Sequence, residues 1–202
     1  MIHAGDNDDH LPRESFIPGG TTLNLWSQVR HPLARDVWYN ALPRIIDQSE
    51  SADFAPAAVR ADFYDRQRLI HCPSAKFPAG AAKDQVAYFS FAMNSKLIRP
   101  DTMGTIQASA VRRPSSTVAL LENRLPGERK VHPAQVDLEL GQPSAYATRF
   151  VTRHRERGNL VFFDGHVDAM LGQEVVTEGY AILPQTAVVW TADPEQDPNI
   201  TY

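Results

Sequence analysis

Apolar side chains recur at helical spacing in two stretches of the first third of the chain. In residues 33–46 they fall every three or four positions, directly after Pro32, and proline is favourable at the start of a helix. Pro43 lies inside this pattern, so we expect the helix to end or kink near it, because proline removes a backbone donor. A second short helix is predicted over residues 56–66.

Three further stretches have the aromatic, aliphatic and β-branched content that predicts strands, namely residues 69–73, 86–91 and 116–121. Irregular segments join them, without the regular strand–helix alternation that a parallel sheet requires. The pattern therefore predicts an α+β fold with an antiparallel sheet, short helices and long loops.

The clearest local pattern is a hairpin near the C-terminus. Residues 159–163 and 166–170 are apolar-rich stretches on either side of Asp164-Gly165. An Asp-Gly pair between two strands favours a type I′ turn, in which both central residues have positive φ.

Length and composition indicate one globular unit. The chain has 202 residues and 15 prolines, which suggests a single domain with many loops. Residues 1–22 are polar and loop-like, and residues 191–202 form a polar tail. No apolar run reaches the roughly 18 residues that span a membrane, so we expect the chain as given to be soluble.

Charge and cysteine content exclude some classes of protein. The net charge is −4 and both signs are spread along the chain, so binding to nucleic-acid phosphates is disfavoured. Cys72 is the only cysteine, so the chain forms no intramolecular disulfide. We expect Cys72 to be a small buried hydrophobe.

The most specific motif lies at the hairpin, where His154 is followed by nine residues and then by Asp164-Gly165. Four segments precede it in a fixed order: residues 6–12, 71–74, 91–95 and 113–122. Together they resemble the pilin-like (pseudopilin, prepilin-type) proteins of type II secretion that carry a C-terminal processing-associated domain with this His-(nine residues)-Asp-Gly spacing.

The resemblance implies a pilin-like globular domain that is associated with filaments or secretion and is non-enzymatic. Its partners would be other pilin-like subunits or secretion cargo. Members of this group begin with a leader and a long apolar helix, and this chain starts where that helix would be ending. The resemblance therefore implies a periplasmic or extracytoplasmic position, with membrane contact only through such a helix.

A function of a different class stays open, a metal-dependent hydrolase of small esters or lactones. Its catalytic residues would be His154, Asp164 and Glu122, which suit acid–base work or metal binding. In the structural interpretation, Asp164 shapes the turn and His154 orients the strand. Glu122 ends an apolar strand and would pair with a cation, because a buried charge is costly. The arginines that we expect as its partners are Arg112, Arg113 and Arg124.

Calcium is the cofactor that the acidic segments suggest, because Ca²⁺ prefers oxygen ligands. The chain has no recognisable calcium-binding loop, so the prediction rests on carboxylates alone. The candidate ligands are Asp6, Asp8, Asp164, Asp193 and Asp197.

Aromatic residues offer a third interpretation. Trp26, Trp38, Tyr39 and Phe63 would line a groove in a carbohydrate-binding module. Such residues are more often core, and we expect these four to be buried.

Overall fold

The fold is taken from a computed structural model that describes residues 8–15, 24–66, 69–80, 82–97, 105–133, 135–176 and 187–199. The predicted calcium ligand Asp6 and parts of the predicted terminal segments 1–22 and 191–202 lie outside these residues.

The helices of the described residues are all short. The α-helices are α1 (Trp26–Val29), α2 (Trp38–Ile45), α3 (Arg60–Arg66), α4 (Ala82–Gln85) and α5 (Gly172–Val175). The 3-10 turns are Pro32–Ala34, Ser51–Phe54, Ala57–Val59, Ala108–Ala110 and Ala147–Arg149.

Both predicted helices form, and each is preceded by a 3-10 turn. Extended Val37 divides the first predicted helix into the turn after His31 and α2, which ends two residues after Pro43, as expected. The second begins with the turn after Pro56 and continues as α3. Proline starts both segments because its fixed φ suits a first helical turn.

One five-stranded sheet organises the fold. Its strands are β1 (Phe91–Asn94), β2 (Val118–Glu122), β3 (Ser144–Ala145), β4 (Arg157–Phe162) and β5 (Val167–Leu171), in the order β3-β1-β2-β4-β5. The pairs β1–β2, β2–β4 and β4–β5 are antiparallel, and β1–β3 is parallel. The predicted α+β class is confirmed, and the parallel pair makes the sheet mixed rather than wholly antiparallel.

The sheet lies between two buried apolar clusters. Phe91 and Met93 of β1 pack in one cluster, and Ala92 between them packs in the other, because alternate residues of a strand point to opposite faces. The first cluster holds the four aromatic residues that we expected in the core, each at most 2% exposed, which confirms that prediction: Trp26, Trp38, Tyr39 and Phe63.

Residues 69–73 do not form the predicted strand. Ile70 and Cys72 are buried, but the Cys72 N–H donates to the side-chain Oγ of Ser90 (2.7 Å) instead of to a neighbouring strand. The chain then turns, with the Ala75 N–H donating to the Cys72 carbonyl (3.0 Å). A side-chain acceptor has taken the place of a strand partner.

The other two predicted strands are shifted along the chain. Residues 86–90 are not a strand, because the Ala87 N–H donates to the Asn24 carbonyl (2.9 Å) and the Phe89 N–H to the Gly141 carbonyl (2.8 Å). These acceptors belong to two distant segments, so no continuous ladder forms until Phe91. β2 starts at Val118, two residues later than predicted.

The predicted hairpin forms as β4 and β5, but its turn is not of type I′. Gly165 has φ +94°, and Asp164 is not among the described residues with positive φ. The Gly165 N–H donates to the Phe162 carbonyl and the Phe162 N–H to the His166 carbonyl, both at 2.9 Å. These bonds describe a three-residue turn that ends in a left-handed glycine.

The left-handed φ makes position 165 sensitive to substitution. We expect Gly165→Val to lower the free energy of unfolding by roughly 1–3 kcal/mol, because a β-branched residue is strained at positive φ. Urea denaturation measures this change. Val167→Thr, at a position 61% exposed in the same hairpin, is the control and should stay close to wild type. Equal stability of the two variants would contradict the turn assignment.

A buried carboxylic acid lies where the N-terminal segment meets the sheet. Glu14 is 5% exposed, and burial raises its pKa from 4.5 to about 7, against the opposing effects of a hydrogen bond with Ser144 and the charge of Lys96. The folded state therefore favours the protonated acid. Below pH 4.5 the acid is protonated in both states, and stability falls as the pH rises through about 7.

Replacing this acid should remove its share of the pH dependence. We expect the stability of Glu14→Gln relative to wild type to rise between pH 4.5 and 8, by about 3 kcal/mol at most. Urea midpoints at several pH values test this. Burial lowers the pKa of His71 to about 3, which has the opposite effect on the pH dependence of stability. Both proteins contain His71, so this effect cancels when their stabilities are subtracted. Parallel stability curves would refute the assignment.

Candidate functional site

The structure separates the two polar residues of the His-(nine residues)-Asp-Gly motif. His154 precedes β4 and Asp164 follows it, and the six residues of this strand span roughly 17–20 Å. Asp164 therefore lies at the opposite end of β4 from the His154 side chain. Glu122, at the end of β2, contacts the His154 side chain instead.

Asp164 is engaged locally in the β4–β5 turn. Its Oδ1 accepts hydrogen bonds from the backbone N–H of His166 (3.1 Å) and from its ring Nδ1 (2.6 Å). These bonds hold the pKa of the Asp164 carboxyl below its usual value. The His166 ring also stacks on Phe162, with centroids 4.4 Å apart.

His154 is presented by a tight turn of its own. Its backbone N–H and carbonyl both bond to Arg157, at 2.9 and 3.0 Å. The two residues between them, Arg155 and Glu156, both have positive φ, at 52° and 66°. This two-residue turn has the backbone signs of type I′, which were predicted nine residues later, at Asp164-Gly165. Neither residue is glycine, so the turn is held against a local conformational cost.

Three donor atoms converge at the end of β2. The Nε2 atom of His154 lies 2.9 Å from Oε1 of Glu122 and 3.4 Å from Sγ of Cys72. All three atoms lie within 4.8 Å of one another. Glu122 is fully buried and Cys72 is 3% exposed, while 38% of the His154 side chain is exposed. We call these three residues the Cys-Glu-His centre.

The buried carboxylate of Glu122 is compensated from several sides. Its Oε2 accepts the Asn159 N–H (3.1 Å), and Arg153 Nη1 lies 4.0 Å from its Oε1. Arg153 in turn forms a two-pronged ion pair with Glu128, at 2.7 and 2.6 Å. The expected partners were wrong: Arg124 pairs with Asp137 and Arg112 with Asp193. Those arginines are close to Glu122 in sequence, whereas Arg153 arrives from the segment before β4.

Cys72 is buried, as predicted, but it does not behave as a simple hydrophobe. Its Sγ contacts a polar pair, and its backbone is fixed by Ser90. Burial, together with the nearby Glu122 carboxylate, raises the pKa of the Cys72 thiol. A raised pKa keeps the thiol protonated, so this group lacks the activation that a nucleophilic cysteine needs.

The described calcium candidates do not converge. Asp193 pairs with Arg112 and accepts the Glu195 N–H, and Asp197 accepts hydrogen bonds from the backbone N–H and the side-chain amide of Asn199. Asp8 lies in a turn of the N-terminal segment, with φ 50°. Among the described residues, the one group of three or more ligand-type side chains is the Cys-Glu-His centre, which contains none of the predicted aspartates.

An open cleft of about 920 Å³ lies near the centre. It is lined partly by sequence neighbours of Cys72 and His154, namely Ser74, Arg153 and Glu156. Basic and acidic side chains both line it, so its charge favours no single class of ligand.

Comparisons with known proteins do not narrow the function. The chain matches no protein-family model, no curated protein and no solved structure. Within the described ranges, no helix has the length and apolar character needed to cross a membrane.

Sequence patterns indicated part of this site. Glu122 was singled out because it ends an apolar strand, and His154 because of its spacing to Asp-Gly. Cys72 and Arg153 were missed as partners, since 82 residues separate Cys72 from His154 and 25 separate Arg153 from Glu128. The sequence contains one signal for these partners: a buried Glu122 carboxylate requires a nearby cation or hydrogen-bond donors.

The compensation of Glu122 can be measured. Glu122→Leu would leave the Asn159 N–H without its acceptor and would remove the carboxylate that contacts His154 and lies 4.0 Å from Arg153. We expect it to lower the free energy of unfolding by about 3–5 kcal/mol, the scale for breaking a buried pair. Glu195→Leu, which replaces an exposed carboxylate, is the control and should stay within about 0.5 kcal/mol of wild type. Chemical denaturation of both variants measures these free energies. A loss of stability in Glu122→Leu as small as that in Glu195→Leu would contradict this account.

Proposed function

We propose that this chain is the globular domain of a pilin-like subunit, associated with a secretion-type pseudopilus and without enzymatic activity. The support is the resemblance of several ordered segments to that group, together with the way in which these segments meet in the fold. The proposed partners are other pilin-like subunits or secretion cargo, and the proposed location is extracytoplasmic.

One observation carries this proposal. Four of the five segments with the resemblance, residues 71–74, 91–95, 113–122 and 154–167, are distant in sequence but adjacent in the structure; the fifth, residues 6–12, is not part of this group. β1 pairs with β2, β2 pairs with β4, and the segment before β1 reaches them through Cys72. The common landmarks are therefore the parts that assemble the sheet, as expected of a motif that specifies an architecture.

The polar residues of the landmark hairpin also have structural contacts. His154 contacts the buried carboxylate of β2, and Asp164 holds the turn through His166. Because β4 separates the two, they do not share one reacting group. This arrangement favours a supporting role for the motif over acid–base chemistry.

Subcellular position tests the proposal directly. An antibody against the domain should detect it in the envelope and sheared-filament fractions of its source cells, together with other pilin-like subunits. The gene should encode a leader and an apolar helix upstream of Met1. A cytoplasmic enzyme serves as the fractionation control. A protein confined to the cytoplasmic fraction would contradict the pilin-like role.

The hydrolase alternative is favoured by one observation, the 2.9 Å contact between His154 Nε2 and Glu122 Oε1. We expect the purified domain to show no turnover of simple esters and lactones above background. If turnover occurred, His154→Gln would lower it by roughly 10²-fold or more while the protein stayed folded. His166→Gln, with a histidine replaced in the same hairpin, is the matched control. That combination of results would replace the pilin proposal by the enzyme.

A further inference from the structure

The three atoms of the Cys-Glu-His centre point at one region of space rather than forming a relay. In a nucleophile–histidine–carboxylate relay, the two ring nitrogens contact different partners. Here a single nitrogen, Nε2 of His154, faces both the Cys72 sulfur and the Glu122 oxygen. Three donors that face one another in this way are the arrangement that a bound cation requires.

The donor types select the class of cation. Calcium and magnesium take oxygen ligands almost exclusively, whereas a cysteine sulfur and an imidazole nitrogen suit zinc and similar first-row ions. A tetrahedral zinc site with ordinary bond lengths separates its donors by about 3.3–3.6 Å. The sulfur–nitrogen distance of 3.4 Å meets this range, and the nitrogen–oxygen distance of 2.9 Å requires an opening of about half an ångström. His154 is the most exposed of the three side chains, so it has room to supply that movement.

Each ligand is oriented by a second contact. The Cys72 backbone N–H is bonded to Ser90, the other oxygen of Glu122 accepts the Asn159 N–H, and the His154 backbone is closed onto Arg157. The bond to Glu122 is of the kind that positions a ligand oxygen and raises metal affinity, and the two backbone contacts fix the chain that carries Cys72 and His154.

The charges also fit a divalent ion. A thiolate at Cys72 and the carboxylate of Glu122 together balance two positive charges, and neutral His154 adds none. Nearby Arg153 is already balanced by its ion pair with Glu128. A loaded centre is therefore electroneutral in a buried position, where an unbalanced charge would be costly.

We propose that Cys72 Sγ, Glu122 Oε1 and His154 Nε2 form a zinc(II) site with a fourth position open to water or another small ligand. Binding releases the proton of the Cys72 thiol to solvent, and the His154 Nε2 proton that faces Glu122 moves to Nδ1 of the same ring, so that a neutral imidazole binds through Nε2. This site is independent of the pilin-like role proposed above, since either can hold without the other.

Cobalt(II) and zinc(II) chloride test the site on the full chain after treatment with chelator. We expect one equivalent of cobalt to give a thiolate-to-metal charge-transfer band, which zinc then removes by displacement. Zinc should also raise the melting temperature by mass action. Absence of the band together with a melting temperature indifferent to zinc would overturn the proposal.

Matched variants locate the site. Cys72→Ser and His154→Gln should each weaken zinc binding at least about 100-fold and abolish the cobalt band, since even supporting contacts affect affinity 10–100-fold. His166→Gln replaces a histidine that lies outside the centre and should bind like wild type. Near-UV circular dichroism identifies any variant that has lost its fold. If His154→Gln is unfolded, the zinc affinity of Cys72→Ser, which exchanges a single atom, decides whether the site is assigned correctly. Wild-type affinity in Cys72→Ser, or an equal loss in His166→Gln, would refute the assignment.

Discussion

The arrangement of this fold depends on a carboxylate that water does not reach. Glu122 ends β2 with its side chain fully buried, and an ionised carboxylate in such a place costs several kcal/mol unless it is paired and hydrogen-bonded. Its partners come from β4, from the turn before it and, at longer range, from Arg153. The charge of Arg153 needs its own counterpart, which Glu128 supplies. One buried charge therefore fixes several segments relative to β2.

Side-chain amides donate hydrogen bonds to the backbone of the irregular segments, as neighbouring strands do in a regular sheet. The strands are two to six residues long, so much of the buried backbone lies outside them. Asn94 donates to the carbonyls of Val118 and Trp190, and Asn123 donates to those of Phe89 and Gln142. Because buried backbone groups need partners, these asparagines allow the irregular segments at Phe89, Gln142 and Trp190 to pack in the interior.

Sequence patterns predicted what local physics controls. The helices after Pro32 and Pro56 and the β4–β5 hairpin form because their determinants lie within a few residues. The predicted strand over residues 86–91 failed at its start because the partners of Ala87 and Phe89 are Asn24 and Gly141, which no local pattern can identify. The site shows the same division: spacing marked His154, and burial marked Glu122, but only the tertiary fold places Cys72 beside them.

An ion at the Cys-Glu-His centre would bind to a chain that the tertiary fold has already arranged. The two apolar clusters, the paired strands and the partners of Glu122 hold the sheet without an ion, and hydrogen bonds already connect the three donor side chains. A metal would therefore stabilise a chain that folds without it, unlike a zinc finger, in which the ion replaces a missing core. The energy of metal binding would instead hold the turn at Arg155 and Glu156, whose positive φ values carry a cost. An ion at this position would thus tighten the connection between β2 and β4 and leave the architecture unchanged.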